Sequence, residues 1–354
     1  MMKKLLSISC CVVLLASCSS EYYTTRDFKS VKKIDTHFHI DFANTSLAEQ
    51  AIDDQFRVVT LNTDVQELSI EKQKEIAIAQ HMQFPQVVDF TTAFTLKNFE
   101  TPGWTSQTIA QLKADFEQGA LGIKIWKCIG MTYKDSANHF IMIDDPRFDS
   151  VINYIIQQDK TIVGHLGEPK NCWLPIEKMT VNNDKSYYKV NPQYHMFLHP
   201  EDPSYEQQIN ARDKFIERHP DMRFVGAHLG SLEWSVDELA KRLDKYPNMA
   251  VDMADRICHL QYQSLKDYEK IRQFFIKYQD RLMYGTDAYI DSTSDLTTVK
   301  TNLHQTWITD WEYFVTDHKM KVKNVDGELT GLKLPGTIID KIYYQNAARW
   351  FKIK

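Results

Sequence analysis

The chain has 354 residues, 43% of them hydrophobic, and a formal charge of −5. This length suits one large domain, and the apolar content is ample for a core. The acidic balance, with no basic run interleaved with aromatics, argues against nucleic acid as the partner.

The first residues read as a targeting segment. Met1-Met2-Lys3-Lys4 is a short basic start, and Leu5 to Ala16 is apolar but too short to span a bilayer. Leu15-Ala16-Ser17-Cys18 resembles the lipobox of bacterial lipoproteins. That resemblance implies cleavage before Cys18, lipidation of its thiol, and a cell-envelope protein anchored to a bacterial membrane. The alternative is an ordinary secretion signal in which Cys18 is incidental. Residues 1–18 are thus read as signal peptide, 19–31 as a tether and 32–354 as the folded unit. Of the other cysteines, Cys10 and Cys11 fall in the signal, while Cys128, Cys172 and Cys258 remain. No C-x-x-C pair exists, which argues against a thiolate zinc cluster. A Cys128–Cys172 bridge and three buried free thiols both stand open.

Strand one is predicted over Lys33–Ile40. It carries His37 and His39, which at i and i+2 point to one face. Neutral imidazole is a common ligand for zinc and related metals. The plainer alternative is a pair of half-buried strand histidines. Further strands are predicted over Arg57–Asn62, Gln86–Phe94, Gly122–Trp126, Thr161–Leu166, Met222–Leu229, Met249–Ala254 and Leu282–Asp287. Helical periodicity marks the stretches between them. Phe148, Val151, Ile152 and Ile155 follow Pro146; Val236, Leu239, Ala240 and Leu243 form a second set; a third runs from Leu265 to Tyr278. Alternating elements imply a parallel sheet, and eight strand runs imply an α/β fold of the (β/α)8 TIM-like barrel type. One long excursion, about 168–203 after the fifth strand, reads as a functional loop or small subdomain at the barrel mouth.

Chemistry in such barrels collects at the C-terminal ends of strands. Strand one ends in His37 and His39, strand four carries Lys124, strand five ends in His165, strand six in His228 and strand eight in Asp287. Taken singly, each has an ordinary alternative: an interior histidine, a helix cap or a snorkelling lysine. Together they would face one point.

A strand-one H-x-H, histidines after strands five and six, and an aspartate after strand eight resemble the signature of the amidohydrolase superfamily. The motif wording is similar to its amidohydrolase-2 branch, which includes aminocarboxymuconate-semialdehyde decarboxylase and lactone hydrolases. The closing Asn346-Ala347-Ala348-Arg349-Trp350-Phe351 resembles that branch's terminal helix. The resemblance runs from about Lys33 to Phe351.

Carried over, it implies a divalent metal, with zinc favoured, on His37, His39, His165 and Asp287. Such a metal lowers the pKa of bound water to roughly 7. Asp287 and His228 would be the proton-handling groups. In two-metal members the strand-six histidine ligates a second ion, and a strand-four lysine can be carbamylated to bridge; here those positions are His228 and Lys124. The branch usually keeps one metal, and one is the reading taken. Lys124 is then a cation for a substrate carboxylate.

Lys127, Lys170 and Arg256 add cations at the mouth, Trp126, Trp173, Tyr187 and Tyr188 add stacking faces, and Glu168 is an extra acid–base candidate. The implied activity is hydrolysis of a C–O or C–N bond in a small carboxylated or sugar-derived substrate. Non-oxidative decarboxylation with the same metal set is the alternative, and a lipid-anchored non-catalytic binding protein is a further one.

Overall fold

The computed structural model describes residues 21–65 and 67–354. Strands β1 (Lys33–Ile40), β2 (Phe56–Leu61), β3 (Val88–Thr91), β4 (Gly122–Ile125), β5 (Thr161–Gly164), β6 (Phe224–Gly226), β7 (Met249–Asp252), β8 (Leu282–Met283) and β9 (Ala288–Ile290) pair in parallel. They run in the orders β3-β2-β1-β9 and β4-β5-β6-β7-β8. A Thr92–Ile123 bridge joins the two sets on one side. On the other side β8 and β9 act as one interrupted strand. Its first half pairs with β7 and its second with β1. Within the interruption, Thr36 N–H donates to Tyr284 O at 3.0 Å and Asp287 N–H donates to His37 O at 2.9 Å. The result is a closed (β/α)8 barrel.

Alternation along the strands creates two apolar layers. Ile34, Val59, Leu61, Val163, Val225, Ala227, Ala250 and Met283 fill the interior. Val58, Val88, Ile123, Ile125, Ile162 and Phe224 face the surrounding helices. Lys124 lies between Ile123 and Ile125, on the opposite face from both. The terminal helix Asn346–Phe351 closes the barrel floor, packing Ala347, Trp350 and Phe351 against the interior layer. Asn346 fixes it by donating to Leu282 O at 2.8 Å. The helical run predicted from Leu265 is two helices, Ile257–Lys266 and Tyr268–Lys277, because Asp267 caps the second through Lys270 N–H.

The excursion after β5 is a small subdomain. It holds the helix Asn182–Val190 and several 3-10 turns around a core of Met131, Cys172, Met179, Tyr188 and Met196. Asn183 Nδ2 donates to Asp255 at 2.8 Å, and Asp184 lies 3.1 Å from His259 Nε2, pinning the subdomain to the loop after β7 and the helix that follows. Cys128, Cys172 and Cys258 are buried free thiols, so the bridge left open by the sequence is not formed.

Cys18 and the signal segment lie outside the described residues. Among the described residues no helix is long and apolar enough to cross a membrane. The stretch read as a tether is packed on the barrel from Glu21 onward. Gly336 N–H donates to Glu21 O at 2.9 Å, and Trp311 Nε1 donates to Thr24 O at 3.0 Å. Phe28, 5% exposed, packs against Phe56 and Trp311.

Phe28→Ala is therefore expected to lower stability by about 3–5 kcal/mol, as for other buried aromatics. A free tether would give less than about 0.5 kcal/mol. Urea unfolding monitored by tryptophan fluorescence separates the two. A second expectation concerns pH. Behind β8, Tyr284 O–H donates to Asp310 at 2.8 Å, and burial pushes the Asp310 carboxyl up to about 7. A raised acid contributes stability below its unfolded value of about 4 and loses it as pH rises through 7. Asp310→Asn should remove that loss. Its stability advantage over wild type should grow between pH 4 and 7 by on the order of 3 kcal/mol, and parallel pH profiles would exclude it.

Candidate metal centre

The centre forms where β1 meets the break between β8 and β9. His37 is fully buried and His39 lies two residues on, at the mouth. Asp287 sits in the break with a left-handed backbone, φ 66°. Its Oδ1 lies 3.3 Å from His37 Nε2 and 3.2 Å from His39 Nε2. A side chain at Gly285 would sit 3.1 Å from the His37 Cβ and 3.2 Å from the Ala254 Cβ. Glycine thus lets the strand pass close enough to deliver Asp287.

Each imidazole is held by its outer nitrogen. His37 Nδ1 meets Asp252 Oδ2 at 3.0 Å and His39 Nδ1 meets Leu61 O at 2.9 Å. An acceptor at Nδ1 places the proton there and leaves a lone pair on Nε2. Two nitrogen lone pairs and a carboxylate oxygen therefore converge. This donor set fits a divalent metal that takes nitrogen and oxygen ligands.

Burial and the neighbouring Lys124 charge keep His37 neutral, its pKa well below the ordinary value. Lys124 Nζ lies 3.0 Å from His37 Nε2, and burial pulls it down to about 8.

His228 follows β6 in a left-handed run: φ is 57° at His228, 58° at Leu229, 61° at Gly230 and 56° at Ser231. The strand predicted to Leu229 stops at Gly226 for this reason. Asp252 Oδ1 accepts the His228 N–H at 2.8 Å, and His228 Nδ1 meets Ala254 O at 2.9 Å. The His228 ring centroid is 4.5 Å from that of His37 and 4.4 Å from that of His165. His165 thus stands one ring beyond the tight group of His37, His39 and Asp287, and burial lowers its pKa to about 4.

The mouth residues are placed differently from a ring of free cations. Lys127, 6% exposed, is ion-paired with Glu168, 2% exposed. Burial resists ionisation of Glu168, but Lys127 holds it well below the carboxylate range, which removes it as an acid near neutral pH. Lys170 lies 3.9 Å over the Trp234 ring. Arg256 pairs with Asp255 at 2.6 Å, while its Nε is buried without a hydrogen bond. Trp126 is half-buried beside Lys127, Tyr187 is partly exposed, Trp173 packs on the subdomain core and Tyr188 is buried in it.

Sequence reasoning passed over Asp252. Its signal was present: a lone carboxylate closing an apolar strand, Met249-Ala250-Val251-Asp252, at the level where the other strands end in histidine.

Similar structures span nearly the whole chain at low identity. A TIM-barrel protein from Bordetella bronchiseptica is 13% identical, with a TM-score of 0.51 over 91% of this chain and 99% of its own. A 2,6-dihydroxybenzoate decarboxylase from Rhizobium is 14% identical, with a TM-score of 0.50 over 91% and 99%. The same enzyme activity complexed with 2,6-dihydroxybenzoate gives 13% and 0.52 over 91% and 100%. At such identities the likeness shows the fold. No curated protein matches the sequence. The family model described as amidohydrolase, Amidohydro_2, matches residues 34–353. Strand, break and histidine pattern thus lie inside one matched span, and the chain belongs to the amidohydrolase family as an enzyme of that superfamily.

Proposed function

We propose that the chain is a metal-dependent hydrolase that cleaves a C–O or C–N bond in a small carboxylated or sugar-derived substrate. The convergence of His37 Nε2, His39 Nε2 and Asp287 Oδ1, with both outer nitrogens anchored, carries this reading. His165 is the fourth ligand in it. A divalent cation there, with zinc favoured, supplies Lewis acidity and acidifies water.

The protein's own groups divide the remaining work. Asp252 keeps His37 in the tautomer that points a lone pair inward. His228 donates its Nδ1–H to Ala254 O, which leaves Nε2 as its basic nitrogen. Burial holds its pKa well below the ordinary imidazole value, so Nε2 is free to accept a proton at neutral pH. It takes a proton from the attacking nucleophile and returns it to the leaving group. Lys124, buried beside His37, offers its cation to a substrate carboxylate or developing oxyanion. Decarboxylation is the second reading, supported by the 2,6-dihydroxybenzoate decarboxylases among the similar folds.

In the cell we propose an envelope protein anchored through lipid on Cys18, on the strength of the Leu15-Ala16-Ser17-Cys18 motif. Several acyl chains anchor stably where one binds marginally. Cys18→Ser should release the protein from the membrane fraction. Unchanged fractionation and an uncleaved precursor would reject the anchor.

The test of the reaction is a screen of zinc-loaded protein against lactones, amides and aromatic or vinylic acids, read together with metal content of variants. Hydrolysis without release of carbon dioxide is expected; its release would favour the second reading. His165→Ala should strip the metal. His228→Ala should keep near-normal metal and lose about 10²–10⁴ in turnover. Lys124→Ala should keep one metal per chain and mainly raise KM. Two metals in wild type, with one lost from both His228→Ala and Lys124→Ala, would replace the single-metal mechanism.

A further inference from the structure

The buried Lys127–Glu168 pair has no part in the reaction described above. A buried ion pair contributes little net stability compared with apolar side chains of the same size. Its surroundings point to a different use. One Glu168 oxygen takes the Lys127 ammonium; the other, Oε2, lies 3.7 Å from His165 Nε2. That nitrogen is buried and makes no hydrogen bond. The other face of Lys127 is covered by the subdomain. Its Nζ sits 4.2 Å from the Tyr194 ring centroid and 5.6 Å from that of Tyr187, with the Tyr187 hydroxyl at 3.5 Å. The two tyrosine rings lie nearly parallel, 12° apart in plane at 6.4 Å. Trp126 adds a third ring at 5.5 Å. The cation is thus boxed by aromatic faces, each a site of cation–π attraction that strengthens when water is excluded.

The backbone between His165 and Glu168 is held as well. Gly167 has φ 115°, and its carbonyl accepts the Ser231 hydroxyl from the left-handed run after His228. Glu168 therefore has little freedom at either end.

We infer that the subdomain is part of the active centre: Tyr194 and Tyr187 clamp Lys127, Lys127 fixes Glu168, and Glu168 is a positioning residue that orients His165. This rests on the reading of His165 as a metal ligand. It assigns Lys127 and Glu168 to the protein's own scaffold and not to substrate contact.

Zinc affinity of the full chain, measured by chelator competition on metal-free protein, tests it alongside thermal unfolding of the same samples. Glu168→Gln should weaken zinc binding about 10–100-fold, the usual cost of losing a group that orients a ligand. Tyr194→Leu should weaken it in the same direction, and Tyr194→Phe, which keeps the ring, should restore it to within about threefold of wild type. The Lys127→Met/Glu168→Gln double variant carries no unpaired buried charge, so it keeps a folded protein available, and it should match Glu168→Gln. Unchanged zinc affinity in Glu168→Gln or the folded double variant would overturn the proposal. So would a lowered melting temperature with wild-type affinity, since the pair would then serve stability alone. His165→Ala is the separate control: if it leaves zinc affinity unchanged, the ligand reading fails, whatever Glu168 does.

Discussion

A single buried carboxylate, Asp252, couples the two halves of the site. One oxygen fixes the ring of His37 and the other accepts the backbone N–H of His228 at the start of its left-handed run. A third bond, from Ala254 N–H at 3.2 Å, fixes the carboxylate on its own loop. Burial pushes its pKa up, so its partners must supply what solvent does not. The tautomer of a β1 histidine and the seat of a β6 histidine thus depend on one side chain from β7. Losing it would leave a buried N–H and an imidazole unpaired together.

A second carboxylate braces β1 from the opposite face. Asp35 accepts from His37 N–H at 3.2 Å, Thr286 N–H at 3.0 Å and Trp307 Nε1 at 3.0 Å. It thereby ties the histidine-bearing strand to the break that presents Asp287. Such a break leaves backbone groups without ladder partners, and side chains from neighbouring elements fill that need. The irregular backbone at Asp287 and at His228 is therefore held by Asp35 and Asp252. Strain sits at the chemistry, and the surrounding polar bonds determine it.

The barrel and the convergence of three side chains were legible in the sequence because strands that meet at one point announce themselves twice, as apolar runs and as polar interruptions at their ends. His37, His39 and Asp287 needed no more than that. Asp252 escaped because the predicted strand Met249–Ala254 ran past it and hid that the strand ends there. Lys127 and Glu168 look like mouth charges until burial and the aromatic box are known, since charge in a sequence carries no record of what neutralises it. The β8–β9 break was invisible for a different reason: Leu282–Asp287 has the composition of a continuous strand, and closure against β1 imposes the interruption. The packed segment from Glu21 to Val31 was hidden by its polar composition, with Phe28 and Val31 its buried apolar anchors.

The floor plug has a consequence for synthesis. Trp350 and Phe351 pack against Ile34 and Val59, residues from the opposite end of the chain, and Arg57 Nη1 donates to Lys354 O at 3.0 Å. The inner layer of the barrel therefore stays open at its base until Trp350 and Phe351 have left the ribosome. Contacts this distant in sequence are slow to close. The barrel is therefore elongated with its interior layer incomplete, which gives any factor that holds unfolded chains a defined interval in which to act.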